Sequence, residues 1–155
     1  MSDSVIQNFL IVSFLATLCI ATTSVFTYEV MGWVWNRLPN LHISRRLRVL
    51  LISAPIFIIH IVNIWLYAGV YFLLENFTSM GQLIGSLSPA TPSVRSFIER
   101  LYYSASTYAS LGLGDIVPTE SLRMITSAEV LNGLVTIGWT ISFTYLAMEK
   151  FWTNK

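Results

Sequence analysis

The chain has 155 residues, 54% hydrophobic and 11% charged, with a formal net charge of +1. Soluble domains carry about 25% charged residues, so this deficit excludes an ordinary water-solvated globule, and the near-neutral balance argues against a nucleic-acid partner. The single cysteine, Cys19, lies in an apolar run, which excludes an intrachain disulfide and leaves a small membrane-embedded side chain.

The first apolar segment, residues 1–36, carries no charge between Asp3 and Glu29, about 25 residues where about 20 cross a bilayer. A signal peptide needs a basic n-region. Here the N-terminus carries Asp3 and no Lys or Arg, which favours a retained transmembrane helix packed at the periphery. Tyr28, Trp33 and Trp35 suit an aromatic belt at its far end.

Residues 37–48 form a basic linker holding Arg37, Arg45, Arg46 and Arg48, with Pro39 to break a helix. Short Arg-rich loops stay in the cytoplasm, so the N-terminus is expected outside. The second span, residues 49–74, contains Pro55 as a kink point and His60 and Asn63 on one helix face. Polar groups in a span face protein rather than lipid. Structural hydrogen bonding and a proton-sensing role are both open to His60.

Residues 75–93 turn to Gly, Ser, Thr and Pro and read as an external loop with a short helix around Met80 to Ile84. Asn76-Phe77-Thr78 matches a glycosylation sequon there. A second short helix is expected over 94–109, started by Pro92 and Ser93 or by a Ser96–Glu99 capping box. At 1.5 Å per residue it is about 24 Å long, too short to cross with Arg95, Glu99 and Arg100 on it. It enters and stops partway, and the following residues return to the same side. The last span, residues 122–148, holds one charge between Arg123 and Glu149, namely Glu129, expected to pair with a short-helix hydroxyl or with Arg123 rather than to face ions. Lys150 and Lys155 follow, and six basic residues then lie inside against Arg95, Arg100 and Arg123 outside. The C-terminus is expected in the cytoplasm.

The fold class is therefore an all-α membrane protein with three transmembrane helices and a re-entrant helix and loop before the last. The loop Thr107 to Pro118 is too polar and glycine-rich to span. Irregular backbone at membrane depth is tolerated only inside protein or beside a wet cavity. Carbonyls in rings replace the hydration shell of a bare cation when several chains surround one axis. Aiming them all one way needs alternating dihedrals that L-residues disfavour, and Gly112 and Gly114 meet that need. Ser110 adds a hydroxyl at the inner end. Leu111 and Leu113 are expected to point away from the axis and wedge the strand against its helix. The C-terminal dipole of the short helix favours a cation beyond it.

Ser110-Leu111-Gly112-Leu113-Gly114-Asp115 resembles the potassium-channel signature T-V-G-Y-G-D, and Tyr102-Tyr103 resembles the aromatic pair of that family's pore helix. Ile116-Val117-Pro118, Arg123, Asn132-Gly133-Leu134 and Gly138-Trp139 extend the resemblance, to small bacterial members of the two-helix pore superfamily, over about Phe97 to Lys150. It implies a pore domain over 49–155 with filter 110–114, potassium sites at Ser110, Leu111, Gly112 and Leu113, and a last ring at Gly114. It implies filter support from Asp115, Tyr102, Tyr103 and Thr107, and a gating hinge at Gly133 or Gly138, whose other reading is close helix packing. Two departures bear on selectivity: Leu113 stands where the family has tyrosine, and Ser110 where it has threonine.

The expected function is passive potassium conduction by a homotetramer in a membrane, the inner membrane if the chain is bacterial, with lipid and potassium ions as its other partners and no cofactor. A weakly selective cation channel and a non-conducting accessory subunit are the alternatives. No nucleophile–base pair, metal cluster or phosphate loop points to an enzyme. His42 and His60 lie several helical turns apart, too far to share a metal within one helix. The first span carries no Arg ladder of a voltage sensor.

Overall fold

The computed structural model describes residues 2–37, 45–85 and 94–152. Helices α1 (Ser2–Arg37), α2 (Arg45–Phe77), α3 (Val94–Tyr108) and α4 (Leu122–Trp152) are joined by two three-residue strands, β1 (Leu83–Gly85) and β2 (Ile116–Pro118). The linker with Pro39 and His42, the residues Pro92 and Ser93, and the side chains of Arg45, Arg46, Arg48, Arg95 and Ser96 lie outside what is described.

Three helices contain stretches long and apolar enough to cross a membrane: Ile6–Arg37, Leu51–Phe77 and Leu122–Lys150. Lipid accepts apolar side chains on every face, and each span shows many outward: Phe14, Leu18 and Val25 on α1, Phe57 and Ile61 on α2, Leu131 and Ile141 on α4. The chain is an all-α integral membrane protein. Pro55 sits inside α2, which continues through it.

Helix α3 has 15 residues, about 22 Å of rise. Its last residue, Tyr108, meets His60 and Asn63, midway along α2. From there the chain returns to β2, which pairs antiparallel with β1 just beyond the end of α2, Leu83 opposite Pro118 and Gly85 opposite Ile116. Helix and return loop therefore enter and leave at one end of the bundle. The short helix expected around Met80 to Ile84 is absent: β1 occupies that place. Its backbone is held from outside itself, with Leu83 N–H on Glu75 Oε1 at 2.7 Å and Thr119 bridging Gln82. A three-residue strand has no local signal strong enough to show without its partner 33 residues on.

Two apolar cores stand at opposite ends of the bundle. One joins Val12, Ala16 and Cys19 of α1 to Tyr67, Tyr71 and Leu74 of α2, Tyr103 of α3, and Leu122 and Ile125 of α4. The other joins Val34, Ile52 and Ala147, near Trp35, whose ring carries Lys150 Nζ at 4.1 Å. Helix α1 packs along both α2 and α4 and supplies part of each core.

Candidate functional site

The loop from Ser110 to Asp115 is exposed at every residue, and its backbone alternates in hand. Ser110 has φ 58°, Gly112 has φ 56° and Gly114 has φ 79°. Every second residue is left-handed. Two of the three positions are glycines, where that conformation carries no Cβ penalty. A Cβ built on Gly112 or Gly114 meets nothing within 4 Å, so the requirement there is conformational and not steric.

Ser110, the non-glycine, is held left-handed by the end of α3. Its N–H donates to Thr107 C=O at 2.9 Å, and Leu111 N–H donates to Ser106 C=O at 2.8 Å. These two bonds make a Schellman cap, which places its C′ residue in the left-handed region. The cap that ends the helix therefore also begins the alternation.

The helix behind the loop is pinned along its buried face. Ser104 Oγ lies 2.5 Å from Glu129 Oε1 and 2.9 Å from Ile64 C=O, its one proton shared between them. Tyr71 O–H reaches Glu129 Oε2 at 2.7 Å. Glu129 thus pairs with an α3 hydroxyl; Arg123, the other partner considered, turns to Pro118 C=O at 3.2 Å. Tyr103 O–H lies 2.9 Å from Thr126 Oγ1, and its ring meets Tyr71 edge-on at 5.2 Å. Phe97 packs edge-on between Trp65 and Phe72. Nearer the start of α3, Arg100 pairs with Glu75 at 2.5 Å.

Tyr108 ends this ladder. Its hydroxyl lies 3.2 Å from His60 Nδ1 and accepts from Asn63 Nδ2 at 3.2 Å. His60 Nε2 lies 3.1 Å from Thr140 Oγ1, so this imidazole ties α2 to α3 and α4. The backbone of Tyr108 lies against Gly133: a Cβ there would overlap the Tyr108 carbonyl oxygen.

Among the residues singled out from sequence, Tyr102 and Asp115 meet directly, the phenol donating to Oδ2 at 2.7 Å. That bond to the carboxylate raises the Tyr102 pKa above its usual range. Asp115 Oδ1 also accepts the Ile116 N–H at 3.1 Å. Tyr103 turns to the buried side of α3, and Thr107 caps the helix through its carbonyl. Gly133 is a close-packing position, whereas a Cβ on Gly138 would meet nothing within 4 Å. The expected wedging of both leucines is not found within one chain: Leu111 and Leu113 are 64% and 58% exposed. Leu113 borders a recess of about 290 Å³ with Tyr103, Thr107, Thr126 and Val130, and Leu111 does not. A single chain offers the loop a helix on one side only.

The residues that sequence reasoning passed over are Ser104, Tyr108 and Thr126, ordinary helix residues until their partners are known. Asn63 and Glu129 did carry a signal, since a polar side chain inside a span seeks protein.

Comparison with known proteins returned no match among curated proteins and none among solved structures. A family model described as an ion channel matches residues 47–150, which takes in nearly all of α2 and α4 with α3 and the loop between them, and the chain belongs to that ion channel family.

Proposed function

We propose that the chain is one subunit of a homotetrameric potassium channel, with residues 110–114 as its selectivity filter. The observation that carries this reading is the left-handed backbone at Ser110, Gly112 and Gly114 immediately after a half-spanning helix. Alternating hand turns successive carbonyls to one side of an extended strand. Four such strands around an axis replace the water around a potassium ion with rings of oxygen. The C-terminus of α3 adds partial negative charge at the inner end of that path. Asp115, held by Tyr102, stands at the outer mouth. The exposed Leu111 and Leu113 fit burial against neighbouring copies. Gly133 and Gly138 are the positions at which α4 would bend to gate the path.

The basic residues orient the bundle with the filter end outward, the N-terminus outside and the C-terminus inside. Potassium is cargo in this scheme, and no cofactor takes part.

A second reading is a weakly selective monovalent cation channel of the same fold. Leu113 favours it, because an alkyl side chain offers no hydroxyl to brace the filter from outside. Purified protein in liposomes separates the readings. Potassium flux with a reversal potential that follows the potassium gradient supports the first. Equal sodium and potassium permeability selects the second. Absence of flux rejects both in favour of an accessory subunit.

A further inference from the structure

Helix α1 lies outside the family match, yet two of its threonines reach the residues that hold the end of the pore helix. Thr23 and Thr27 are one turn apart on one face and both fully buried. Thr23 O–H donates to the carbonyl of Cys19 at 2.8 Å. With its proton so used, Thr23 Oγ1 is left to accept, and it accepts from Asn132 Nδ2 at 2.7 Å. Asn132 also donates to Tyr67 O–H at 3.2 Å and immediately precedes Gly133, the residue against the Tyr108 carbonyl. Thr27 Oγ1 accepts from Asn63 Nδ2 at 3.4 Å, and the same amide donates to Tyr108 O–H at 3.2 Å.

Both ends of Tyr108, its phenol and its carbonyl, are thus set by residues keyed to α1. Tyr108 is two residues from Ser110, where the left-handed alternation begins. We infer that α1 positions the filter, Thr27 acting through Asn63 on the Tyr108 hydroxyl and Thr23 acting through Asn132 and Gly133 on the Tyr108 carbonyl; this rests on the reading of residues 110–114 as the filter. Threonine in an apolar helix often does no more than bond back to its own preceding turn. Thr17 and Thr22 do that, to Ser13 and Leu18, and face outward. Thr23 makes the same back-bond, but it and Thr27 face inward, onto the two buried asparagines. Each amide would lose an acceptor if its threonine were replaced by an isosteric valine.

The test uses the full chain in liposomes with Thr23→Val, Thr27→Val, the conservative Thr23→Ser and Thr27→Ser, and the outward Thr22→Val as control. Assembled protein is measured by size exclusion, and sodium-to-potassium permeability and flux per assembled channel are measured by bi-ionic reversal potential and ion uptake. Each Val variant is expected to assemble and to change permeability ratio or flux per channel by about five-fold, the scale of one buried hydrogen bond. The Ser variants and Thr22→Val are expected to match wild type. Wild-type ratio and flux in both Val variants overturn the inference and leave the channel reading intact. Val variants whose only defect is a lower yield of assembled protein also overturn it, because α1 is then merely structural. A wild-type protein that passes no ions overturns the channel reading and this inference with it.

Discussion

Helix α3 and the loop that follows it obey opposite rules. On the side facing α2 and α4, Ser104, Tyr103 and Tyr108 each make side-chain hydrogen bonds to those helices, and the side chains are buried. On the other side the loop from Ser110 to Asp115 is exposed, and its backbone is bent into a hand that most residues avoid. The loop contributes little to its own stability. Its shape is imposed at its ends, by the Schellman cap at Ser106–Leu111 and by β2 with the Asp115–Tyr102 bond. If the loop is the filter proposed above, its backbone oxygens are kept for the ion and few internal partners remain, so its rigidity lies in the helices behind it.

That contrast breaks most severely at Glu129. Glu129→Ala removes the carboxyl oxygens that meet Ser104 and Tyr71 in a buried site, leaving Ser104 with Ile64 C=O and Tyr71 with Thr126 Oγ1, at about 0.5–1.5 kcal/mol for each lost hydrogen bond plus the cost of the space left behind. We expect a marked fall in thermal midpoint of the purified protein, while Glu129→Gln, which keeps an acceptor, recovers most of it. An equal fall in both variants would show that the carboxylate's charge matters more than its hydrogen bonds.

Gly133→Ala attacks the same scaffold sterically. Its methyl meets the Tyr108 carbonyl, and overpacking costs about 1–3 kcal/mol. The expected result is lower stability together with altered conduction, because the carbonyl displaced is the last one of α3. Gly138→Ala, in open space, should leave stability unchanged and so isolates any effect on gating.

On the exposed side, Gly112→Ala and Gly114→Ala each place a Cβ on a left-handed residue, at about 1–2 kcal/mol. The expected outcome is the reverse of the scaffold variants: near-normal assembly by size exclusion with potassium uptake lost. Loss of assembly in place of uptake would mean that the loop holds the subunit together.

The smallest effect is expected at Tyr102→Phe, which removes one exposed bond to Asp115. Assembly should be unaffected and the steady current reduced modestly. The sign of its pH dependence follows from the raised phenol pKa. The folded-state value lies above the unfolded one, so the bond is fully present through neutral pH. It is lost as pH rises through the raised phenol pKa. A wild-type current that declines between pH 6 and 8 would therefore have another origin.

Much of this was legible along the chain. The three spans follow from the absence of charge, since a bilayer tests each segment for length and polarity one at a time. The short helix and its return were legible because charges at Glu99 and Arg100 and glycines at 112 and 114 forbid a crossing. The glycine pair announced its backbone, because few other residues adopt that hand. The rest depends on partners far apart in sequence, and there the reading stopped or went astray. The stretch around β1 looked like a short helix. Glu129 had two possible partners until the packing chose Ser104 and Tyr71. Thr23 meets Asn132 across 109 residues, and nothing in either segment alone marks the other. Lipid solvation and backbone hand are local properties, which a string of residues determines by itself. Hydrogen bonds between spans depend on how each helix is rotated about its axis, and only the packed bundle decides that.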